Sequence, residues 1–516
     1  MSKIKTVTVF SSFLDGIVSV LSTIEISVSP GIPSFDIIGL CDSSIRESRG
    51  RISSAIRTNG YSMPKGHIMV SISPAYMHKS GSNMDLAILT GLLMISGQLN
   101  VPENARIYAE GEISLIGDVR RTPGCALRLK QVTANPEFTH IIIPEEESIP
   151  AGVVGIKGVT LENIRDLQDR IDRYGEFERQ MPFALEEIGN DRGKTYLTSL
   201  KGQEKTKRAI LIAACGFHNI FLMGSPGSGK TMAGKMIKDL LPPLSPEETG
   251  EVYALKEHNG DDSRITNERP FRFVTRNMTL ANLFGKSMSL KSGEMALANH
   301  GILFMDEVPE FRSFVIDALR EPLESHAVKL IKDGRTYLYP AQFLFIGTGN
   351  PCRCGNYLEP DRKCICTLSN RVKYLSKVSG PFLDRIDIYS EMRTIGSEDL
   401  FDMVSEKGIT AEDRAKQAEY EECVKRVWDI QKERYKGECR YNGTASDLIA
   451  EELRIDTKCA QYAAELADRV GFTGRGYSKL IRVGRTIADI EGEKDINKDH
   501  INEAAVYRTR RLIYEQ

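Results

Sequence analysis

Short apolar runs that alternate with polar positions, "TIEISVS" (23–29), "SFDIIGL" (34–40), "HIMVSISP" (67–74) and "THIIIPEE" (139–146), have the period of half-buried strands. Between them lie "SSIRESRGRISSAIRTNG" and "DLAILTGLLMISG", which read as helices closed by glycine turns. Strands spaced by helices predict an α/β or α+β domain over residues 1–172. The pattern then turns polar and irregular, "DRYGEFERQMPFALEEIGNDRGKTYLTSL", and predicts a linker over 173–200. A helix "QEKTKRAILIAACG" and a wholly apolar strand "NIFLMG" open a second α/β unit over 201–395, with two more apolar strands in "GILFMDE" and "QFLFIGTGN". From 396 to 516 the chain is strand-poor and rich in helix formers, interrupted at "RYNGTAS" and "GFTGRGYS", so a helical domain is expected.

Length agrees with this division, because 516 residues exceed one core and suggest about three or four units. The 68 Lys and Arg against 70 Asp and Glu leave no global field for nucleic acid or an anionic membrane, so any such site must be local. The N-terminal stretch is broken by Asp15 and Glu25, and no apolar run reaches membrane-spanning length. A soluble cytoplasmic protein with no membrane partner is the expectation. Six of the ten cysteines are scattered, which fits a reducing compartment better than a disulfide framework.

The chemistry begins at "GSPGSGKT", where Gly224, Ser225, Pro226, Gly227, Ser228, Gly229, Lys230 and Thr231 sit between a predicted strand and a helix. Glycines let backbone N–H groups and the helix N-terminus face phosphates, Lys230 reaches the terminal ones, and the Thr231 hydroxyl ligates Mg²⁺. ATP and Mg²⁺ are therefore the expected ligands. "GILFMDE" delivers Asp306 to hold hydrated Mg²⁺ and Glu307 to polarise the attacking water. "QFLFIGTGN" ends in Asn350, an amide able to orient that water or sense the γ-phosphate. "SGPFLDRID" offers Arg385 as an arginine finger, worth ~10³ or more in rate, unless it merely pairs with Asp384 or Asp387. Arg475 opens a helix from which it can report on the nucleotide, while Arg482 and Arg485 are expected to serve that helix's face.

Cys352, Cys354, Cys364 and Cys366 follow Asn350 closely as two C-x-C pairs, a zinc-knuckle-like loop over 352–366. Four thiolates match a closed structural Zn²⁺ site; a redox-labile thiol cluster and unliganded cysteines are the alternatives. "AVKLIKDGRTYLYP" reads as a hairpin turning at Asp333-Gly334, with Lys329, Lys332 and Arg335 at or near its tip; "KSMSLK" (286–291) is a candidate second loop. In a ring such hairpins would line a central pore with charge suited to single-stranded or branched DNA. Ordinary surface lysines are the plain alternative.

With these elements in this order, the chain resembles an AAA+ ATPase, and specifically the Mg-chelatase-like YifB/ComM family, over almost its full length. "GIPSFDIIGLCDSSIRESRGRISSAIRTNGY" is similar to that family's N-terminal signature, "GEMALANHGILFMDEVPEF" to its Walker B region, "GNPCRCG" to its first sensor and "RGYSKLIRVGRTIADIEG" to its lid. The resemblance implies a multidomain α/β chain: an N-terminal domain like that of Lon protease (ribosomal S5 domain 2-like), an AAA+ P-loop core, and a C-terminal helical lid of the Mg-chelatase type. It implies Asn350 as sensor one, Arg385 as finger, Arg475 as sensor two, matching cysteines, and a homo-oligomeric ring, expected as a hexamer. Two departures stand out. Where the family shows a histidine pair after "RPFRF", this chain reads "VTRNMT", and "GSNMDLAI" with "GDVRRTPGCALR" supplies no Ser-Lys peptidase dyad.

Three functions follow from the resemblance and the basic hairpin: an ATP-driven DNA helicase or branch-migration translocase of the kind the family associates with recombination and natural transformation, a protein-remodelling ATPase, and a metal-chelatase motor subunit. An apolar or aromatic hairpin tip would favour the remodeller; large partner subunits would be needed for the chelatase.

Overall fold

The computed structural model describes residues 5–133, 135–145, 157–180, 194–261, 265–359, 362–394, 410–436, 441–445 and 450–508. The chain divides into two compact units, 1–187 with 245–267, and 188–244 with 268–516.

In the first unit, Lys5–Asp15 and Val18–Ser29 pair antiparallel along their whole length around the turn at Gly16, whose φ of 68° suits glycine. Their alternation has a physical destination: Ser22, Ile24 and Ile26 are buried while Glu25 is exposed. The full sheet has eight strands in the order Arg179–Gln180, Lys157–Leu161, His140–Pro144, Ile107–Ala109, Lys5–Asp15, Val18–Ser29, His67–Ser73 and Ser34–Ile38. Asp85–Ile95 is apolar on nearly every side because it lies buried against this sheet. A Cβ at its Gly91 would stand 2.4 Å from Ile26 Cδ1, so the absence of a side chain sets that close approach.

Two boundaries differ from the sequence expectation. The stretch read as a linker from 173 starts with a helical turn, Tyr174–Phe177, and the edge strand Arg179–Gln180, which pairs with Lys157–Leu161. Tyr174 anchors it, its hydroxyl accepting from Ile141 N at 2.9 Å and its ring lying 4.5 Å from that of His140. Residues 181–193 of that expected linker lie outside the described residues. Second, residues 245–267, expected inside the ATPase core, belong to the first unit. The helix Pro246–His258 starts at a Ser245/Glu248 capping box and carries Glu257, which accepts from Arg121 (2.9 Å), Cys125 Sγ (3.2 Å) and Ala126 N (3.1 Å). A carboxylate at the start of the helix Cys125–Thr133 satisfies N–H groups that the helix cannot pair internally.

The second unit contains a five-stranded parallel sheet, ordered Phe271–Val274, Ile302–Met305, Leu344–Gly349, Ile220–Gly224 and Ile388–Met392. All three apolar strands read from sequence are present and adjacent. The helices Ala411–Arg434, Thr457–Val470, Gly474–Glu491 and Lys498–Arg508 share one hydrophobic core with this sheet and its helix Glu204–Gly216. Trp428 Nε1 donates to Ala214 O at 2.9 Å and Gln431 Nε2 to Cys215 O at 2.7 Å, so the C-terminal helices do not stand apart. Arg485, expected on a helix face, is fully buried, where it meets Asp489 and the carbonyls of Leu453, Glu493 and Lys494.

Candidate functional site

Parallel strands deliver their C-terminal ends to one edge of the sheet, and three neighbours end at the residues expected to act together. Ile220–Gly224 runs into the phosphate-binding loop and then the helix Lys230–Leu240; Gly227 and Gly229 take φ of 82° and 86°, open to glycine. Ile302–Met305 ends at Asp306 and Glu307, and Leu344–Gly349 ends at Asn350. Lys230 Nζ donates to Gly224 O and Ser225 O at 2.8 Å and to Asn350 Oδ1 at 3.1 Å. Burial lowers its ammonium below the ordinary lysine value, against the pull of Asp306 and Glu307. Thr231 Oγ1 lies 3.4 Å from Asp306 Oδ2, which brings the two expected Mg²⁺ ligands together. Ser228 Oγ is buried with no hydrogen-bond partner among the described residues. An orphaned donor inside a glycine-rich loop, beside a lysine and a hydroxyl–carboxylate pair, fits a nucleotide phosphate with Mg²⁺.

Glu307 itself has φ 52° and ψ 50°, a left-handed conformation uncommon for a side-chain-bearing residue. Its carboxylate pairs with Arg276 at 3.3 Å. An open cavity of about 1190 Å³ spreads from Asp306 and Glu307 past Arg276, Met278, Glu310 and Phe314.

Arg385 and Arg475 form a second cluster. Arg385 is 8% exposed and donates to Arg320 O (3.0 Å), Pro381 O (2.6 Å) and Glu324 Oε2 (2.7 Å). Arg475 reaches the other oxygen of the same carboxylate at 2.9 and 3.1 Å. Burial pulls the Glu324 carboxyl up, but Arg385 and Arg475 outweigh it and hold it below the ordinary range. The alternative partners named for Arg385 are not used: Asp387 is taken by Lys479, with His218 at 3.9 Å. The described side-chain contacts of both arginines lie here and not at Lys230, Asp306 or Glu307.

The predicted hairpin is present as Ala327–Lys332 and Arg335–Pro340, in register Lys332↔Arg335. Asp333 and Gly334 both have positive φ, 49° and 75°, as a type I′ turn requires. Lys329 pairs with Glu321, whereas Ile331 and Leu338 are 64% and 55% exposed. Residues 286–291 form the end of a second small hairpin, Gly285–Lys286 with Lys291–Ser292, whose loop is 287–290. Tyr339 Oη donates to Leu290 O and joins the two. Cys352, Cys354, Cys364 and Cys366 converge, their Sγ atoms all within 4.8 Å of one another and three of the separations being 3.3, 3.6 and 3.7 Å. A tetrahedral metal with bonds of about 2.3 Å to sulfur has edges of about 3.8 Å, so this donor set fits a thiolate-bound metal ion.

The chain matches three family models: "Magnesium chelatase, subunit ChlI" over residues 196–400, "Subunit ChlI of Mg-chelatase" over 24–147, and "Magnesium chelatase, subunit ChlI C-terminal" over 414–508. It is 31% identical over 500 residues to the uncharacterized protein YifB of Salmonella typhimurium, with 96% of each chain covered. The chain belongs to the YifB/ComM family. The competence protein ComM of Haemophilus influenzae is 30% identical over 505 residues, 97% of each chain, and the magnesium-chelatase subunit ChlI of Synechocystis is 24% identical over 235 residues, 39% of this chain and 58% of that one. Membership makes the chain an AAA+-type ATPase that binds and hydrolyses ATP. No helix among the described residues is long and apolar enough to cross a membrane.

In this YifB/ComM protein, three residues of the site lie outside the reach of the sequence reading. Thr348 donates to Asp306 Oδ1 at 2.5 Å and accepts from Glu307 N at 2.9 Å; a hydroxyl in the otherwise apolar run "FLFIGTG", two residues before Asn350, is its signal. Glu324 and Arg276 have no spacing signature at all. Arg276 stands in the "VTRNMT" stretch that departs from the family's histidine pair.

Proposed function

We propose that this YifB/ComM-family ATPase works as a ring, expected as a hexamer, that couples ATP hydrolysis to movement of DNA, as a helicase or branch-migration translocase. The observation that carries the ring is the separation of the two clusters. Lys230, Thr231, Asp306, Glu307 and Asn350 assemble one half of a hydrolysis site, and Arg385 with Arg475 wait on Glu324 outside it. A γ-phosphate in transfer needs compensating positive charge, and arginines that do not reach their own subunit's loop are suited to a neighbour's. In this reading Thr231 and Asp306 would hold Mg²⁺, which would supply positive charge to offset that of the phosphates. Glu307 takes the proton of the attacking water, Asn350 positions that water, and Glu324 aims both arginines.

The first unit reads as a Lon-protease-like (S5 domain 2-like) domain without a peptidase dyad, the helices from 411 on as the lid, and the four thiols as a Zn²⁺ site. DNA is the favoured substrate because Lys286, Lys291, Lys329, Lys332 and Arg335 lie on two joined hairpins, and because a relative carries the name competence protein. Ile331 and Leu338 favour a second reading, protein remodelling, since exposed apolar side chains on a pore hairpin grip polypeptide.

ATPase and strand displacement on forked and four-way DNA, with Lys329, Lys332 and Arg335 changed to Ala, decide between them. DNA-stimulated, salt-sensitive hydrolysis that the triple variant loses supports the DNA motor. Hydrolysis indifferent to DNA but raised by unfolded protein, and lost in Ile331→Ser with Leu338→Ser, supports the remodeller.

A further inference from the structure

The four-cysteine loop rests on the phosphate-binding loop. Ser225 Oγ donates to Gly355 O at 2.8 Å, and Ser225 is fully buried. Gly355 follows directly on Cys354, takes φ 82°, and its N–H donates to Cys352 O at 3.0 Å, closing the turn between the first two thiols. A Cβ on Gly355 would lie 2.3 Å from Pro226 Cδ, so backbone and loop are in direct contact there. Two residues before Cys352, Asn350 accepts from Lys230 Nζ. At the other side of Gly355, Glu359 Oε1 accepts from Thr394 N at 3.1 Å, just beyond the strand Ile388–Met392 that flanks Ile220–Gly224. The segment 350–359 is thus pinned at Lys230, at Ser225, against Pro226 and at Thr394, while Cys364 folds back to complete the thiol group.

We propose that the metal bound by Cys352, Cys354, Cys364 and Cys366 controls nucleotide affinity, by holding Gly355 against Ser225 and Pro226 so that the phosphate-binding loop is shaped before ATP arrives. This rests on the readings that the glycine loop binds nucleotide and the thiols bind a metal. Chemically, four thiolates drawn within 4.8 Å repel one another unless a cation joins them. Released from it, the turn between Cys352 and Cys354 loosens, and with it goes the acceptor of the buried Ser225 hydroxyl. A loop that must then be ordered by the ligand binds that ligand more weakly. Linkage makes the effect mutual: nucleotide must raise the affinity for the metal by the same factor by which metal tightens nucleotide binding.

The test uses the full chain. Metal content is measured by mass spectrometry, a fluorescent ADP analogue is titrated before and after removal of the metal with a thiol-competing chelator, and Zn²⁺ is then added back. Metal removal should raise the Kd at least tenfold with the far-ultraviolet circular dichroism preserved, and added Zn²⁺ should restore it. Saturating ADP should raise the concentration of a chromogenic chelator needed to withdraw Zn²⁺ at equilibrium. Gly355→Ala, which keeps all four thiols but intrudes on Pro226, should retain stoichiometric Zn²⁺ yet bind ADP at least fivefold more weakly; it also decides the matter if the metal-free chain unfolds. A Kd that moves less than twofold on metal removal or in Gly355→Ala overturns the coupling. Absence of stoichiometric metal overturns it through the thiol reading, and a metal-loaded chain that binds no nucleotide overturns it through the loop reading.

Discussion

Charge is buried in both units, but it is held in different ways. In the first unit Glu110 accepts from Tyr108 Oη and Arg128 Nε, both at 2.5 Å, and Arg128 also donates to Pro123 O, Thr122 O and Thr122 Oγ1. Lys79 is capped by the carbonyls of Gly39, Pro74 and Met77, one for each ammonium proton. Asp85 is likewise enclosed by Ser48 and Arg51. At the sheet edge of the second unit the partners are replaceable: Lys230 sits on backbone carbonyls of its own loop, Ser228 Oγ has no described partner, Glu307 pairs with a half-exposed Arg276, and one carboxylate serves both Arg385 and Arg475. A charge whose every valence is taken by the fold supports the fold. A charge on provisional partners is free to exchange them for a ligand, and that difference separates architecture from site.

The largest test of the comparison lies on the replaceable side. Glu307→Gln and Arg385→Ala should each cut turnover by ~10³, since a general base contributes ~10²–10⁴ and a finger ~10³–10⁵; Glu307→Gln should leave the melting temperature nearly unchanged, and Arg385→Ala should lower it only by the loss of that side chain's own hydrogen bonds, far less than the loss of turnover. Mixing Lys230→Ala with Arg385→Ala chains should recover part of the lost activity, because some interfaces then pair an intact loop with an intact finger. No recovery in mixtures shown to co-assemble would refute action on a neighbour.

The enclosed side predicts the opposite pattern. Arg128→Met strands Glu110 as a buried charge without its partner and should cost about 3–5 kcal/mol in the stability of the first unit, with turnover per folded molecule retained. Denaturant unfolding alongside ATPase measurement checks both halves; lost turnover at full stability would erase the distinction.

Legibility in the sequence follows the same division. The glycine loop, Asp306–Glu307, Asn350 and the Asp333-Gly334 turn are short local patterns whose geometry is fixed by near neighbours, and they are where the sequence places them. Glu324, Thr348 and Arg276 act through partners some 30 to 150 residues away, as the Glu307–Arg276, Asp306–Thr348 and Glu324–Arg475 pairs illustrate, and no spacing rule reaches that far. The migration of 245–267 into the first unit hinges on Glu257 meeting Arg121 and Ala126, again a long-range pairing. Arg485 does serve its helix's face, as expected, but helical spacing does not say that this face is buried; Asp489 and three carbonyls satisfy its donors in the interior.

A smaller effect comes from His218, fully buried between the core and the C-terminal helices, where Nε2 is 2.7 Å from Thr486 Oγ1. Burial drives its pKa down to about 4, outweighing Asp387, while Lys479, Arg482 and Arg508 push the same way as burial. The unfolded chain therefore takes up a proton near pH 6.5 that the fold refuses. Stability is complete above that value and falls as pH drops toward 4, by about 1 kcal/mol at pH 5.5. Thermal melts at pH 7.5 and 5.5 should show a gap that narrows in His218→Gln; an unchanged gap would remove His218 as its source.

The smallest effect probes the most replaceable contact. Arg276 and Glu307 meet at 3.3 Å with both side chains more than a third exposed, so water screens the pair and its net strength is low. Yet it occupies a carboxylate oxygen of the residue proposed to face the attacking water, and an oxygen held by a guanidinium is not free to accept that water's proton. Arg276→Ala should therefore raise basal ATPase activity about two- to fivefold, in line with a weak screened contact. The gain should appear in kcat with KM for ATP little altered, and it should vanish in the Glu307→Gln background, because nothing is left for the arginine to restrain. Reduced turnover in Arg276→Ala would reverse the assignment: the arginine would then belong with Lys230 among the groups that hold phosphate charge, and its contact with Glu307 would be the resting place of a binding residue instead of a brake.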